Sequence, residues 1–346
     1  MQAKGLTALI AATIAVVIAA IALSLAGGQS AADARSGEMV FAGLGERLGD
    51  AAMVKITGAG GPVTLERHSA GKTTDWLVAE KGGYPADPQK IRQTLLGFAE
   101  LKLVEPKTDK AKLYKRLDVE DPGTKDGHSR LVEIDDAKGG KLGEIIVGKR
   151  RPDRLGTGAD GLYIRKPGDA QSWLAQGSVD LPTDIKDWLD KNVAQIAAKR
   201  IRQVTLTHED GSTLVLKRDK EDAKFTAEGA PADAKFKSDA ALAEPAGVLD
   251  GLELNDVRKA ADLPAPEKGV ARAEWVTFDG LTITGETFKK DDSNWVRLKA
   301  SGEGKAAEEA AALNARWAPW VYSVYEYKAN AMKTKLADLV EAPKGS

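Results

Sequence analysis

Apolar and polar positions fall into three regimes along the chain. The first is an unbroken run: Leu6 to Ala26 is 21 residues without a charge, interrupted only by Thr7, Thr13 and Ser24. As a helix it would span roughly 31 Å, enough for a hydrocarbon core of about 30 Å. Two readings compete. A cleaved signal peptide has an apolar core of about 7 to 15 residues, shorter than this run, although small residues at Ala26-Gly-Gly28 and Ala32-Asp-Ala34 offer a cleavage site. An uncleaved anchor accounts for the full length. Both export the rest of the chain. Lys4 and the terminal amine precede the run, and the next basic residue is Arg35, so the short tail should stay in the cytoplasm. The expectation is a single-pass inner-membrane protein of a Gram-negative bacterium, anchored by residues 1–26, with its C-terminal domains in the periplasm. Residues 27–49 read as a tether, rich at first in Gly, Ala and Ser.

The second regime is alternation. Val54-Lys-Ile-Thr57, a Gly-rich turn and Val63-Thr-Leu-Glu-Arg67 predict a hairpin; Val204-Thr-Leu-Thr207, a turn at Asp210-Gly211 and Leu214-Val-Leu-Lys-Arg218 predict another. A third strand follows each, carrying Trp76-Leu-Val78 in one case and Phe225 in the other. The third regime is helical spacing. With Asp87 as N-cap and Pro88 at the first helical position, Ile91, Leu95, Phe98 and Leu101 form an apolar stripe. In the second half Ser238-Asp239 opens a segment with Leu242, Val248 and Leu252, interrupted by Pro245.

The correspondence between halves continues. Glu133-Ile-Asp135 matches Thr277-Phe-Asp279, and Leu162-Tyr-Ile-Arg-Lys166 matches Asn294-Trp-Val-Arg-Leu298. Ser172-Trp-Leu-Ala175 matches Pro319-Trp-Val-Tyr322, and a helix ending Trp188-Leu-Asp-Lys-Asn-Val193 matches Lys335-Leu-Ala-Asp-Leu-Val340. The prediction is an α+β fold after the N-terminal transmembrane helix: two tandem copies of a mostly antiparallel sheet with helices packed on one face, over residues 50–198 and 199–342. Trp76 and Trp173 are expected in the core of the first copy.

Composition narrows the chemistry. Lys plus Arg number 50 against 51 Asp plus Glu, a net charge of −1, without the basic surplus a nucleic-acid binder needs. The chain has no cysteine, which excludes disulfides, a thiol nucleophile, Cys-ligated metal and a lipidated N-terminal Cys. Gly71-Lys72-Thr73 is not a phosphate-binding loop, because Glu66 stands where that motif needs Gly and a strand follows. His68, His128 and His208 lie far apart and lack i+3 or i+4 partners, so neither a metal nor a cofactor site is expected. The paired acids Asp135-Asp136 and Asp291-Asp292 read as turn caps rather than a catalytic dyad. The chain does not read as an enzyme.

Two clusters stand out as candidate partner contacts. Lys149, Arg150, Arg151 and Arg154 fall in a Gly- and Pro-containing loop between two strands. Such a cluster is either a solvated hairpin tip or a contact for lipid head groups or an acidic surface. Trp317, Trp320, Tyr322, Tyr325 and Tyr327 fall within eleven residues. Most should fill the second core, leaving outward-facing members, with Trp317, Tyr325 and Tyr327 as candidates, for a partner.

Phe41-Ala-Gly-Leu44 with Arg47-Leu48, Lys81-Gly-Gly-Tyr-Pro-Ala-Asp87, Leu101-Lys-Leu-Val-Glu-Pro106, Val147-Gly-Lys149, Leu162-Tyr-Ile-Arg165 and Asp187-Trp-Leu189 together resemble the bacterial family catalogued as domain of unknown function 4340. The resemblance runs from about residue 41 to 341. It implies a membrane-anchored periplasmic protein, in many genomes encoded beside an ABC transporter of the gliding-motility type, with the permease or an auxiliary subunit as partner. It supplies no catalytic residues. Three functions are weighed: a non-enzymatic accessory protein of an ABC-type transport or cell-envelope complex, a periplasmic ligand-binding module for a lipid, glycan or peptide, and, least favoured, a hydrolase with an unfamiliar site.

Overall fold

A computed structural model describes residues 35–70, 73–124, 126–152 and 160–341 of the 346. The run read as an anchor, residues 1–26, lies outside them, and among the described residues no helix is long and apolar enough to cross a membrane. The described chain is mostly antiparallel β with a few helices, in two compact units. One unit holds the described residues up to Leu77 together with Pro88–Ile185. The other holds Val78–Asp87 and the described residues from Lys186 onward.

The first nine-stranded sheet contains β1 (Ala51–Gly58), β2 (Gly61–Ala70), β3 (Thr73–Val78), β4 (Tyr84–Pro85), β5 (Lys102–Pro106), β6 (Arg130–Asp136), β7 (Lys141–Arg151), β8 (Gly161–Arg165) and β9 (Ser172–Gln176), in the order β4-β3-β2-β1-β6-β7-β8-β9-β5. Alternation sets the buried face: Val54 stands opposite Ile134 and Ile56 opposite Val132, and all four are buried. Helix α1 (Pro88–Ala99) begins at Pro88 and buries the predicted stripe of Ile91, Leu95 and Phe98. A Cβ at Gly97 would stand 2.7 Å from the Ser178 carbonyl oxygen, so only glycine lets this helix approach that backbone so closely. Trp173 is buried as expected, whereas Trp76 is only half-buried. Its strand, β3, is the second from the edge of the sheet.

The second sheet contains β10 (Asn192–Ala194), β11 (Ile201–Thr207), β12 (Thr213–Lys217), β13 (Thr226–Ala227), β14 (Leu252–Lys259), β15 (Val270–Thr277), β16 (Thr282–Lys290), β17 (Ser293–Ser301) and β18 (Trp320–Val324), in the order β10-β14-β18-β17-β16-β15-β11-β12-β13. Helix α2 (Asp239–Ala243) is capped by Ser238, whose Oγ accepts from the Ala241 N–H at 3.1 Å, and gives way to a 3-10 turn containing Pro245. Helix α3 (Lys305–Trp317) is pinned to β17 by Asn314, which bonds both the N–H and the carbonyl of Ala300 at 2.8 Å. Helices α4 (Glu326–Ala331) and α5 (Leu336–Leu339) follow β18. A register shift interrupts the β1–β6 ladder between Ala51 and Met53, and another interrupts β11–β15 between Ile201 and Gln203.

Two expectations are corrected. The segment ending at Val193 is not a helix: a 3-10 turn, Ile185–Trp188, leads into β10. Its backbone groups are taken by the sheet instead, with Ala194 opposite Leu252 and the Leu254 N–H donating to the Lys191 carbonyl. Pairing across the fold has overridden local spacing. The second correction is a slip of register. Val54 faces Ile134 and Val204 faces Trp275, so the segment set against Val204 as Glu133-Ile-Asp135 is against Val54 is Glu274-Trp-Val276, not Thr277-Phe-Asp279. Of the acid pairs, Asp291-Asp292 sits in a turn, whereas Asp135-Asp136 ends strand β6 and only caps the turn that follows. Asp136 accepts from the N–H groups of Lys138 and Gly140, and Asp291 and Asp292, both at positive φ, form the tight turn between β16 and β17.

Candidate functional site

In the first unit the basic cluster is a strand end rather than a loop: Lys149, Arg150 and Arg151 are the exposed last residues of β7, and Arg154 lies outside the described residues. The position of that strand end is set by close backbone contact. A Cβ at Gly148 would stand 2.2 Å from the Leu117 carbonyl oxygen, and the Lys149 N–H donates to the same oxygen at 2.9 Å. The Lys149 ammonium donates to the Arg116 carbonyl at 3.0 Å and lies 3.6 Å from Asp118. Arg150 bridges Asp160 at 3.1 Å and Ser178 at 2.9 Å.

Arg130, at the start of β6, completes the cluster. Its guanidinium donates to the Leu181 carbonyl, and burial pulls its pKa below the ordinary arginine value, opposed by the nearby Asp180 charge. Lys149, Arg150, Arg130 and His128 line a cleft of about 270 Å³ closed by the Gly58–Gly61 turn and by Pro182 and Thr183, with Asp118 as its carboxylate. Sequence reading missed Arg130 and the cleft, because sequence proximity does not link β1, β6 and β7.

In the second unit the five aromatics separate by role. Trp317 is wholly buried at the end of α3, with its indole N–H donating to the Val193 carbonyl at 2.9 Å, so it is a core residue with no surface to offer a partner. Tyr322 is buried as well, and Trp320 is half-buried edge-on to Tyr84 at 5.1 Å. Tyr325 and Tyr327 are 45% and 61% exposed, and their rings stack with centroids 6.2 Å apart. Their mount is firm. Lys328 on α4 donates to the carbonyls of Gly247, Val248 and Asp250 at 3.4, 2.9 and 3.2 Å, and burial lowers its pKa.

A groove of about 540 Å³ runs over the open face of the second sheet, walled by Ala260, Ala318 and Trp320. Its floor is two cross-strand rows, Thr205-Glu274-Thr284-Lys299 and Thr207-Arg272-Glu286-Arg297. Arg272 pairs with Glu286 at 3.1 Å, and Arg297 donates to the carbonyls of Ala260 and Leu263 at 2.7 and 2.6 Å while its Nε is buried without a partner. In the first unit, Arg165 on β8 likewise donates to a loop carbonyl, that of Val119, at 2.7 Å. His208 is satisfied by Ser212 and the Thr334 carbonyl, and among the described residues no group of three or more His, Asp or Glu side chains is placed to hold a metal.

A family profile described as Domain of unknown function (DUF4340) matches residues 76–270. No curated protein and no solved structure matches the chain.

Proposed function

The chain belongs to the family of domain of unknown function 4340, and from that premise we propose that it is a non-enzymatic accessory protein of an ABC-type transport or cell-envelope complex, working through protein–protein contacts. In this reading residues 1–26 anchor it in the inner membrane and the two sheets lie in the periplasm. The observation that carries the proposal is the exposed Tyr325–Tyr327 stack. Two aromatic rings held outward on an anchored helix start suit a protein interface: they supply contact area at little entropic cost.

The sheets support a further element of the reading, that the chain is a tandem duplication. If β1, β2, β3, β5, β6, β7, β8 and β9 correspond to β11, β12, β13, β14, β15, β16, β17 and β18, one strand order becomes the other, leaving β4 and β10 as extra edge strands. The register shifts at Ala51/Met53 and Ile201/Gln203 fall at the same place under that mapping. Arg165 and Arg297 also both tie the loop that precedes the counterpart strands β6 and β15.

The test is affinity purification of the full chain from solubilised membranes. An ABC-type permease should co-purify, and Tyr325→Ser with Tyr327→Ser should lower its recovery about tenfold without moving the thermal transition. A deletion strain whose permease complex and transport are unchanged would overturn the proposal. A second reading, a ligand-binding module for a lipid, glycan or peptide, is favoured by the 540 Å³ groove with its mixed charges and its Trp320 wall. Bound material released from gently purified protein, and lost on Trp320→Ala, would select it.

A further inference from the structure

We propose that the cleft of the first unit lined by Arg130, Lys149 and Arg150 is a binding site for a phosphate monoester, presented either by a soluble compound or by a lipid head group. Arg130, Lys149 and Arg150 line it with Asp118. Arg150 is paired with Asp160 at 3.1 Å and Asp180 lies near Arg130, so Arg130, which has no ion pair among the described residues, and Lys149, 3.6 Å from Asp118, are the cations left to meet a ligand. A phosphate monoester carries a charge of about −1.5 to −2 near neutral pH, enough to engage both Arg130 and Lys149 at once. Guanidinium groups offer the planar forked donors that oxyanions accept in pairs.

Arg130 is the strongest indication. Its guanidinium is held by a main-chain carbonyl, and among the described residues no carboxylate lies within ion-pairing distance of it. Burial disfavours its charge, and an anion in the cleft would restore what desolvation removes. Gly58 makes room for the Arg130 side chain over the cleft, since a Cβ there would lie 3.0 Å from the Arg130 Cγ. The volume of about 270 Å³ is at the small end of ligand sites, which run from about 300 Å³ upward. That suits a phosphate with a glycerol-sized substituent. The inference is independent of the accessory-protein reading, since it rests on a different unit and a different surface.

The test is calorimetric titration of the full chain in neutral detergent with three probes: inorganic phosphate, glycerol 3-phosphate and dihexanoyl phosphatidic acid. Saturable binding is expected, weakened at least about tenfold by Arg130→Gln and to a similar degree by Lys149→Ala. The second variant changes an exposed side chain, so it reports even if the first perturbs folding. Lys299→Ala, in the other unit, should leave the affinity unchanged. Affinity for phosphatidic acid well above that for glycerol 3-phosphate assigns the site to a lipid head group; equal affinity assigns it to a soluble phosphate. Absence of saturable binding to all three probes, equal affinity in wild type and Lys149→Ala, or equal weakening by Lys299→Ala overturns the proposal.

Discussion

Replacing Gly148 by Ala should destabilise the first unit by an amount the structure allows to be worked out. The added Cβ would lie 2.2 Å from the Leu117 carbonyl oxygen, 2.7 Å from that of Asp118 and 2.8 Å from the Val119 Cγ1. Carbon–oxygen contacts settle near 3.3 Å, so the 117–119 backbone must retreat by about 1 Å. Two of the three atoms are main chain, so no side-chain rotation relieves the clash. The retreat breaks the Lys149 N–H bond to Leu117, worth about 0.5–1.5 kcal/mol, and forced packing of this kind costs about 1–3 kcal/mol. Together they give about 1.5–4.5 kcal/mol, or a fall of roughly 3–18 °C in the unit's transition. Differential scanning calorimetry of the full chain reads it. Gly45→Ala, where a Cβ meets nothing within 4 Å, is the control and should stay within about 1 °C. If Gly148→Ala also stays there, the close approach of β7 to the 117–119 backbone is refuted.

Trp317→Ala should cost about 3–5 kcal/mol, because the side chain is wholly buried and hydrogen-bonded; Tyr327→Ser, on an exposed ring, should cost less than about 0.5 kcal/mol, and urea titration compares the two. Arg165→Lys should fail to restore the stability lost in Arg165→Leu, since one ammonium cannot reproduce three directed bonds to Val119, Asp169 and Asp121 together with the stack on Tyr114. Asp279 accepts from the Thr277 hydroxyl, its main stabiliser, and from Arg200, and its pKa is depressed. A depressed carboxyl contributes stability above its unfolded value of about 3.9 and loses it as pH falls through the lower folded value. Unfolding midpoints between pH 6 and 2 should therefore drop less steeply in Asp279→Asn than in wild type, and identical slopes would count against the assignment.

What the sequence made legible follows from how local each signal is. The hairpins around Val54 and Val204, the opening of α1 at Pro88 and the Ser238 cap each depend on a few adjacent residues, and all are present. Register was harder to read. Trp275 and Phe278 are both large aromatic residues in one stretch, and only the ladder with Val204 puts Trp275 in the place that Ile134 takes opposite Val54. The candidate surfaces show the same division. Crowding of aromatics in the sequence pointed to the right segment, but a helix end buries Trp317 while the start of α4 leaves Tyr325 and Tyr327 outside. The cleft around Arg130 and the groove floor are made by strands distant in sequence, and no local pattern announces them. The family profile, over residues 76–270, straddles both halves and so does not mark a boundary between them either.

The excursion of Val78–Asp87 separates two notions of a domain that usually coincide. The polypeptide passes between the compact units after Leu77, after Asp87 and after Ile185, so no single proteolytic cut in the chain releases one unit intact. Within the second unit the excursion supplies Tyr84, packed against Trp320 and Tyr322, and Lys81, paired with Asp256 at 2.5 Å. A fragment starting at Ile201 would lack both and expose the aromatic surface Tyr84 covers. Recombination that exchanged one half of the gene would therefore disturb the other half's fold, which ties the two halves together in inheritance.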